Sequence, residues 1–424
     1  MMTKNEYKIV RLIALGGALE FYDFTIYALY APYLSQNFFF NTNEFIGLMN
    51  TFAVFALGYL ARPFGGIVFG HLGDTWGRKS AFSLAILLMA TATLLMGCLP
   101  TYQSIGTLAP ILLIILRLLQ GFSVGGEIPG ASVFTIEHVA VGQRGRAIGL
   151  VFMCITLGNT LGAGIGFLLT SLLTHQQMVS WGWRIPFIFG FVLGIISYVI
   201  RKKVVETPIF TALLKENNLH HIPFFKMLKL LPIQLLSAFL LTAVSASIVS
   251  LFLYLPTYFV TSIKINATHG YLINVFAFLS FGLFTAFFGS MSDTVNRKKL
   301  LMAASALLIV LSYPLFYGLR LFGEPFLWVF ILSFALLGGV VNGSYMVLIT
   351  ESFPANLRYS AVGFCFSLGI AVFGGLAPLV FTWLIQYVMT SLAPAFYMST
   401  TAALSLLALL LVSSPKNIEK GELN

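Results

Sequence analysis

Charge is the scarcest property of this 424-residue sequence. Asp, Glu, Lys and Arg together make up 9% of it, against 58% hydrophobic residues and a mean hydropathy of +0.92. So few charges cannot coat a soluble domain of this length, and so much apolar surface cannot all be hidden in one core. The chain reads as an integral membrane protein. Cysteine is equally sparse: Cys98, Cys154 and Cys365 sit in separate apolar runs without paired spacing, which excludes a disulfide framework and leaves packing as their role. The six histidines are scattered apart from His220-His221, so no metal site is indicated. A Gly-x4-Gly-Lys-Ser/Thr loop is missing, as is a soluble stretch to hold one, which argues against an ATP-driven pump and against an enzyme. Alternating ten-residue strand patterns are missing too, so the spans are helices and not an outer-membrane barrel.

What the chain has instead is length of apolar run. A helical span needs roughly 20 apolar residues. Such runs are read near 10–36, 45–69, 80–99, 107–134, 146–174, 184–200, 231–262, 269–290, 300–319, 325–350, 359–388 and 392–413. The expectation is an all-α membrane protein with twelve transmembrane helices. The first run carries Glu20 and Asp23 and ends without a small-residue cleavage pattern, which argues for a first span over a cleaved signal peptide. With both termini placed inside, all of the 24 Lys and Arg residues except Arg62, Arg117, Arg184, Lys264 and Arg320 fall on the inner side. That bias sets cytoplasmic termini. It also accounts for the formal charge of +10 without nucleic acid as a partner.

A basic segment bracketed by glycine occurs twice: Gly70-His-Leu-Gly-Asp74-Thr-Trp-Gly-Arg78-Lys79 and Gly289-Ser-Met-Ser-Asp293-Thr-Val-Asn-Arg297-Lys298. The copies stand half a chain apart, each joining two apolar runs, as expected of one module used twice. A second echo agrees: Glu137 precedes Arg144, and Glu351 precedes Arg358, both by seven residues. The organisation expected is two pseudo-symmetric six-helix bundles, 1–200 and 231–424, joined by a polar cytoplasmic linker over 201–230, with a short cytoplasmic tail.

Twelve spans, an inside linker and the doubled loop resemble the major facilitator superfamily. Further stretches narrow the resemblance: Glu20-Phe-Tyr-Asp23-Phe-Thr-Ile-Tyr27, Arg62-Pro-Phe-Gly-Gly66, Arg117-Leu-Leu-Gln-Gly-Phe-Ser-Val-Gly-Gly-Glu127, and Glu351-Ser-Phe-Pro354 with Arg358. Together they are similar to the metabolite:proton symporter family, which includes permeases for proline and betaine, citrate, 2-oxoglutarate and shikimate. The resemblance covers nearly the whole chain. It implies alternating access in the cell (inner) membrane, a central cavity lined by spans 1, 4, 7 and 10, and the proton gradient as energy source in place of any cofactor.

Charged residues inside apolar runs carry the chemistry, since one in hydrocarbon costs at least ~2.5 kcal/mol. Glu20 and Asp23 adjoin on one helical face, with Tyr27 one turn on. Burial disfavours a carboxylate and a nearby cation favours it, so a carboxyl alternating between such surroundings exchanges protons. The fourth run carries Arg117, Gln120 and Glu127, with Arg117 at the depth of Asp23 and Glu127 in the inner half with Glu20. One reading makes Arg117 the anchor of a substrate carboxylate, through its planar fork, and gives proton work to Glu20, Asp23 and Glu127. The other makes Asp23 and Arg117 a permanent structural pair. Asn159 in the fifth run, Tyr254 and Tyr258 in the seventh, Asn274 in the eighth, and Asn342 and Tyr345 in the tenth are candidate cavity residues or packing residues. Arg62 with Pro63 is read as a structural ion pair beside a kink.

Asp74, Arg78, Arg144, Asp293 and Arg358 are the candidate inner-gate residues, with plain positive-inside anchoring as the alternative for the bases. The fifth run, with its small residues from Gly158 to Gly166, lacks the Gly-Pro pair of proton-driven drug antiporters. Import of a small carboxylate-bearing metabolite with protons, by a monomer in the lipid bilayer, is therefore the leading expectation. A proton-coupled exporter or drug antiporter on the same fold is the alternative.

Overall fold

The computed structural model describes residues 4–39, 43–76, 78–125, 127–202, 229–388 and 390–411. Of Glu20, Asp74, Arg78 and Glu127 only the backbone is described. The expected linker, apart from its first and last two residues, and the expected tail lie outside the described residues.

Among those residues the architecture is helical throughout. The main helices are α1 (Lys4–Leu29), α2 (Ala31–Phe38), α3 (Glu44–Trp76), α4 (Arg78–Cys98), α5 (Leu108–Ser123), α6 (Glu127–His138), α7 (Arg144–Leu172), α8 (Ile185–Lys202), α9 (Pro232–Tyr258), α10 (Ala267–Met291), α11 (Arg297–Phe322), α12 (Leu327–Glu351), α13 (Ala355–Gly369), α14 (Ala377–Tyr387) and α15 (Ala393–Leu411). Nine helical stretches among the described residues are long and apolar enough to cross a membrane by length and composition, and two shorter apolar helices cover 83–98 and 108–123.

Two of the expected continuous spans are interrupted near their middle, besides the turn at Tyr30 and the π-helical turn Phe259–Ile263 near the ends of two others. The run at 107–134 divides into α5 and α6 around Val124 and Gly125, and the run at 359–388 contains a π-helical turn, Ile370–Gly375, between α13 and α14. Pro378 explains part of the second break: it has no N–H to give the carbonyl of Gly374 four residues earlier. The Ser250 hydroxyl of α9 takes that carbonyl instead, at 2.8 Å.

Burial follows the polarity of the faces. α9 is apolar all round and buried along nearly its whole length, as a central helix must be. The outward sides of α3, α7, α10 and α11 expose Phe64, Ile67, Leu172, Phe287 and Val310, each more than half accessible. Such a surface has no solvent but lipid.

Among the described residues the first part of the chain meets the second where α7 packs along α10 and α12, where α3 packs along α13, the π-turn and α14, and through smaller contacts of α6 with α12 and α13 and of α1 with α9. Small residues permit the first approach. A Cβ at Gly149 would lie 3.0 Å from the Thr285 carbonyl oxygen and 3.1 Å from the Gly289 Cα, so α7 and α10 meet backbone to backbone.

Candidate substrate cavity and gates

Between these interfaces lies an enclosed cavity. Phe21 of α1, Tyr59 and Arg62 of α3, and Phe152, Ile155, Thr156 and Asn159 of α7 form one wall. Ser245, Ala246, Val249 and Ser250 of α9, Phe281 of α10, Asn342 and Tyr345 of α12, Phe366 of α13, and Ile370 and Gly374 of the π-turn form the other. Its free volume is about 40 Å³, room for a few waters and too little for a metabolite, so substrate entry requires the walls to part.

At each end of α10, contacts tie the two parts of the chain together across the cavity. At one end of α10 the Tyr271 hydroxyl donates to the Leu29 carbonyl at 2.7 Å, its ring lies 5.7 Å from that of Tyr30, and Thr268 Oγ1 donates to the Thr170 carbonyl at 3.0 Å. Beyond the other end, Asp293 accepts from the backbone N–H of Gly145 at 2.7 Å and of Arg146 at 2.9 Å. These are free donors of the first turn of α7, where the helix dipole favours an anion. At 1.5 Å per residue, Phe281 of the cavity stands roughly 15 Å along the helix from Tyr271 and roughly 18 Å from Asp293. The conformation is occluded.

The Asp293 closure continues into an ionic network. Arg297 bridges Asp293 at 3.0 Å and Glu351 at 2.6 Å, and Arg144 reaches Glu351 at 3.1 Å. Arg358 donates through Nε to the carbonyls of Thr350 and Phe353 and faces Glu137 at 3.6 Å. Arg144, Asp293 and Arg358 of the expected gate are thus brought to one end of the fold. The side chains of Asp74 and Arg78 lie outside the described residues.

The other sequence candidates divide. Asn159, Asn342 and Tyr345 line the cavity. Tyr27, Arg117, Gln120, Tyr254, Tyr258 and Asn274 are buried but are not among the lining residues, and α5 contributes nothing to the wall. Arg117 is enclosed instead: its guanidinium lies 3.9 Å from the Phe24 ring centre, 4.6 Å from that of Tyr27 and 4.9 Å from that of Phe55. It donates to the Phe24 carbonyl and to Gln120 Oε1. Gln120 in turn donates to Thr93 at 2.8 Å and to the Asp23 carbonyl at 3.2 Å. Tyr258 donates to the Ser391 carbonyl at 2.7 Å, and Tyr254 packs its ring 5.5 Å from Phe52. Asn274 is buried with both amide atoms unpartnered.

Asp23 is fully buried, with the Thr93 hydroxyl as a polar neighbour of its carboxyl. Its side chain points toward α8, where Cβ atoms on Gly190 and Gly194 would meet it. Among the described residues no ion pair joins it to Arg117. Of the proton-coupling candidates it is the one whose side chain is described.

The residue that sequence reasoning placed elsewhere is Arg62. It faces the cavity at 3% exposure, stacked 3.9 Å from the Phe24 ring centre and 4.2 Å from that of Tyr59, with Nε and Nη2 unpartnered. Among the described residues no acid pairs with it; the side chains of Glu20, Asp74 and Glu127 lie outside them. Its signal in the sequence was an arginine inside an apolar run, next to a proline that leaves the carbonyl of Tyr59 without its helical donor.

Comparison with known proteins accords with this architecture. Residues 13–378 match the Major Facilitator Superfamily. A putative proline/betaine transporter of Staphylococcus aureus is 34% identical over 96% of this chain and 88% of its own length. The citrate-proton symporter of Klebsiella pneumoniae is 32% identical over 93% of this chain and 89% of its own. A glycine betaine/proline/ectoine/pipecolic acid transporter of Dickeya dadantii is 30% identical over 97% and 84%. The crystal structure of a D-xylose-proton symporter superposes with a TM-score of 0.75 over 96% of this chain and 97% of the other, at 17% identity, which shows a shared fold. The chain is a multi-pass membrane transporter, not an enzyme, and belongs to the major facilitator superfamily and, within it, to the metabolite:proton symporter family.

Proposed function

We propose that this protein imports a small carboxylate-bearing metabolite together with protons, by alternating access. The observation that carries the reading is the cavity built from both parts of the chain and shut at both ends by separable contacts. Breaking the Asp293 closure opens the cavity to one side of the membrane, and breaking the Tyr271 closure opens it to the other. The relatives named as proline/betaine transporters and a citrate-proton symporter support the substrate class and the coupling ion.

In this proposal Asp23 carries the coupling proton. A carboxyl that is fully buried, with no cation paired to it among the described residues, is a group that can carry a proton across. Its release requires α1 and α8 to move apart and admit water or a cation. Glu20 and Glu127 share proton work from their places on α1 and α6. Arg117, bonded to the backbone of α1, fixes that helix against α5 while it does so.

The full architecture proposed is twelve spans in two six-helix bundles, 1–200 and 231–424, with 201–230 as a cytoplasmic linker. Both termini face the cytoplasm, the protein works as a monomer in the cell (inner) membrane, and the proton gradient serves in place of a cofactor. The test is uptake of L-proline, glycine betaine and citrate by proteoliposomes with and without an inward proton gradient. Gradient-dependent accumulation of one of them is expected. Accumulation driven only by an outward gradient would assign an exporter or antiporter instead.

A further inference from the structure

The cavity holds two polar groups that face it without a partner. One is the Arg62 guanidinium, with Nε and Nη2 free, and the other is Asn159 Oδ1; both side chains are at least 97% buried. Three hydroxyls of the wall are already engaged. Ser245 donates to Asn342 Oδ1 at 2.6 Å, Ser250 to the Gly374 carbonyl at 2.8 Å, and Thr156 to the Phe152 carbonyl at 2.8 Å. A buried donor or acceptor left unsatisfied is costly, and a guanidinium offers donors only. The free groups therefore describe what they await: an anion able to take two parallel N–H bonds, and a hydrogen-bond donor. Among the described lining residues Arg62 alone is charged, so the wall balances one carboxylate and no more.

Resting on the reading of a carboxylate importer, the geometry points to Arg62 as the carboxylate anchor and Asn159 as acceptor for an N–H or O–H of the same substrate. The site then takes a monocarboxylate that carries its own donor, such as an amino or imino acid. It disfavours a fully N-methylated betaine, which has a carboxylate and no N–H, and a tricarboxylate, whose further charges meet no cation.

Four probes separate the terms in proteoliposomes under an inward proton gradient: L-proline, with carboxylate and N–H; glycine betaine, without N–H; citrate, with three carboxylates; and L-proline methyl ester, without a free carboxylate. Wild type is expected to accumulate proline best. In Arg62→Gln the half-saturating concentration for proline should rise about tenfold or more, and the preference for proline over its ester should vanish. Arg62→Lys should recover part of that preference, since it restores charge without the bidentate fork. Asn159→Ala should narrow the gap between proline and glycine betaine and leave the proline-to-ester preference standing. Each variant is first checked for monodispersity. Because the three substitutions remove different preferences, poor folding of one does not imitate the pattern. Wild-type uptake with unaltered preferences in Arg62→Gln and Asn159→Ala overturns this inference alone, as does wild-type preference for citrate or for the ester. Failure of wild type to accumulate any probe overturns the importer reading, and this inference with it.

Discussion

Arg144 and Glu351, 207 positions apart in sequence, meet at 3.1 Å, and Arg358 and Glu137 face each other at 3.6 Å. The two Glu/Arg couples spaced seven residues apart are therefore exchanged in space: the base of each couple faces the acid of the other. An ionic contact of this kind, partly open to water, contributes about 0.2–1 kcal/mol, and Glu351 engages both Arg144 and Arg297. Glu351→Gln should shift the equilibrium away from closure at this end by severalfold. In a cysteine-free background, labelling of Ser292→Cys, at a position 2% exposed here, should accelerate accordingly. Unchanged labelling would show that the pair does not hold the gate. Asp74→Asn is expected to act in the same direction at the first copy of the loop.

The close approach of α7 and α10 gives a steric counterpart. Gly149→Leu should leave a monodisperse protein that cannot shut the Asp293 end, because its side chain meets backbone atoms that cannot move aside. Substrate accumulation should be lost while Ser292→Cys becomes fully reactive. A transport-competent Gly149→Leu would mean that closure at the Asp293 end does not need this close approach of α7 and α10.

Arg117 tests the division of labour between the two buried arginines. Its guanidinium is bonded to Gln120 and to the α1 backbone among three aromatic rings. Arg117→Lys should reduce thermal stability, since an ammonium cannot reproduce the planar stacking. The preference for free proline over its ester should survive. Loss of that preference, with stability intact, would return the anchor role to Arg117.

Much of this arrangement was legible in the sequence. Apolar run lengths located nine spans among the described residues, and the second copy of the loop with the Glu/Arg echo marked the ionic network at one end of the fold, because charges placed at helix ends leave a positional trace. The cavity cation was less legible. Depth along a run gave Arg117 and Asp23 the same level, but depth says nothing of direction around the helix axis. Gly58 decides that direction: a Cβ there would lie 2.9 Å from Arg117 Nε, so its absence admits the Arg117 side chain beside α3 and away from the cavity. Arg62, on the same helix, is left facing inward. The π-turn at Ile370–Gly375 was hidden for a similar reason, since its carbonyl is satisfied by Ser250, a residue more than a hundred positions away.

Asp23 bears on coupling more than on binding. Its carboxyl lies toward α8 and not among the lining groups, so Asp23→Asn should abolish accumulation while sparing exchange of internal for external substrate. Loss of both activities in a monodisperse variant would place Asp23 in the binding site.

Proton movement on substrate addition addresses the account most directly. Proteoliposomes loaded with a pH-sensitive dye and held without any imposed gradient receive the substrate that wild type accumulates. Inward symport predicts that the lumen acidifies on addition, and that the signal disappears with Asp23→Asn. A lumen that stays at constant pH while substrate enters, or one that turns alkaline, would contradict proton-coupled import by this protein.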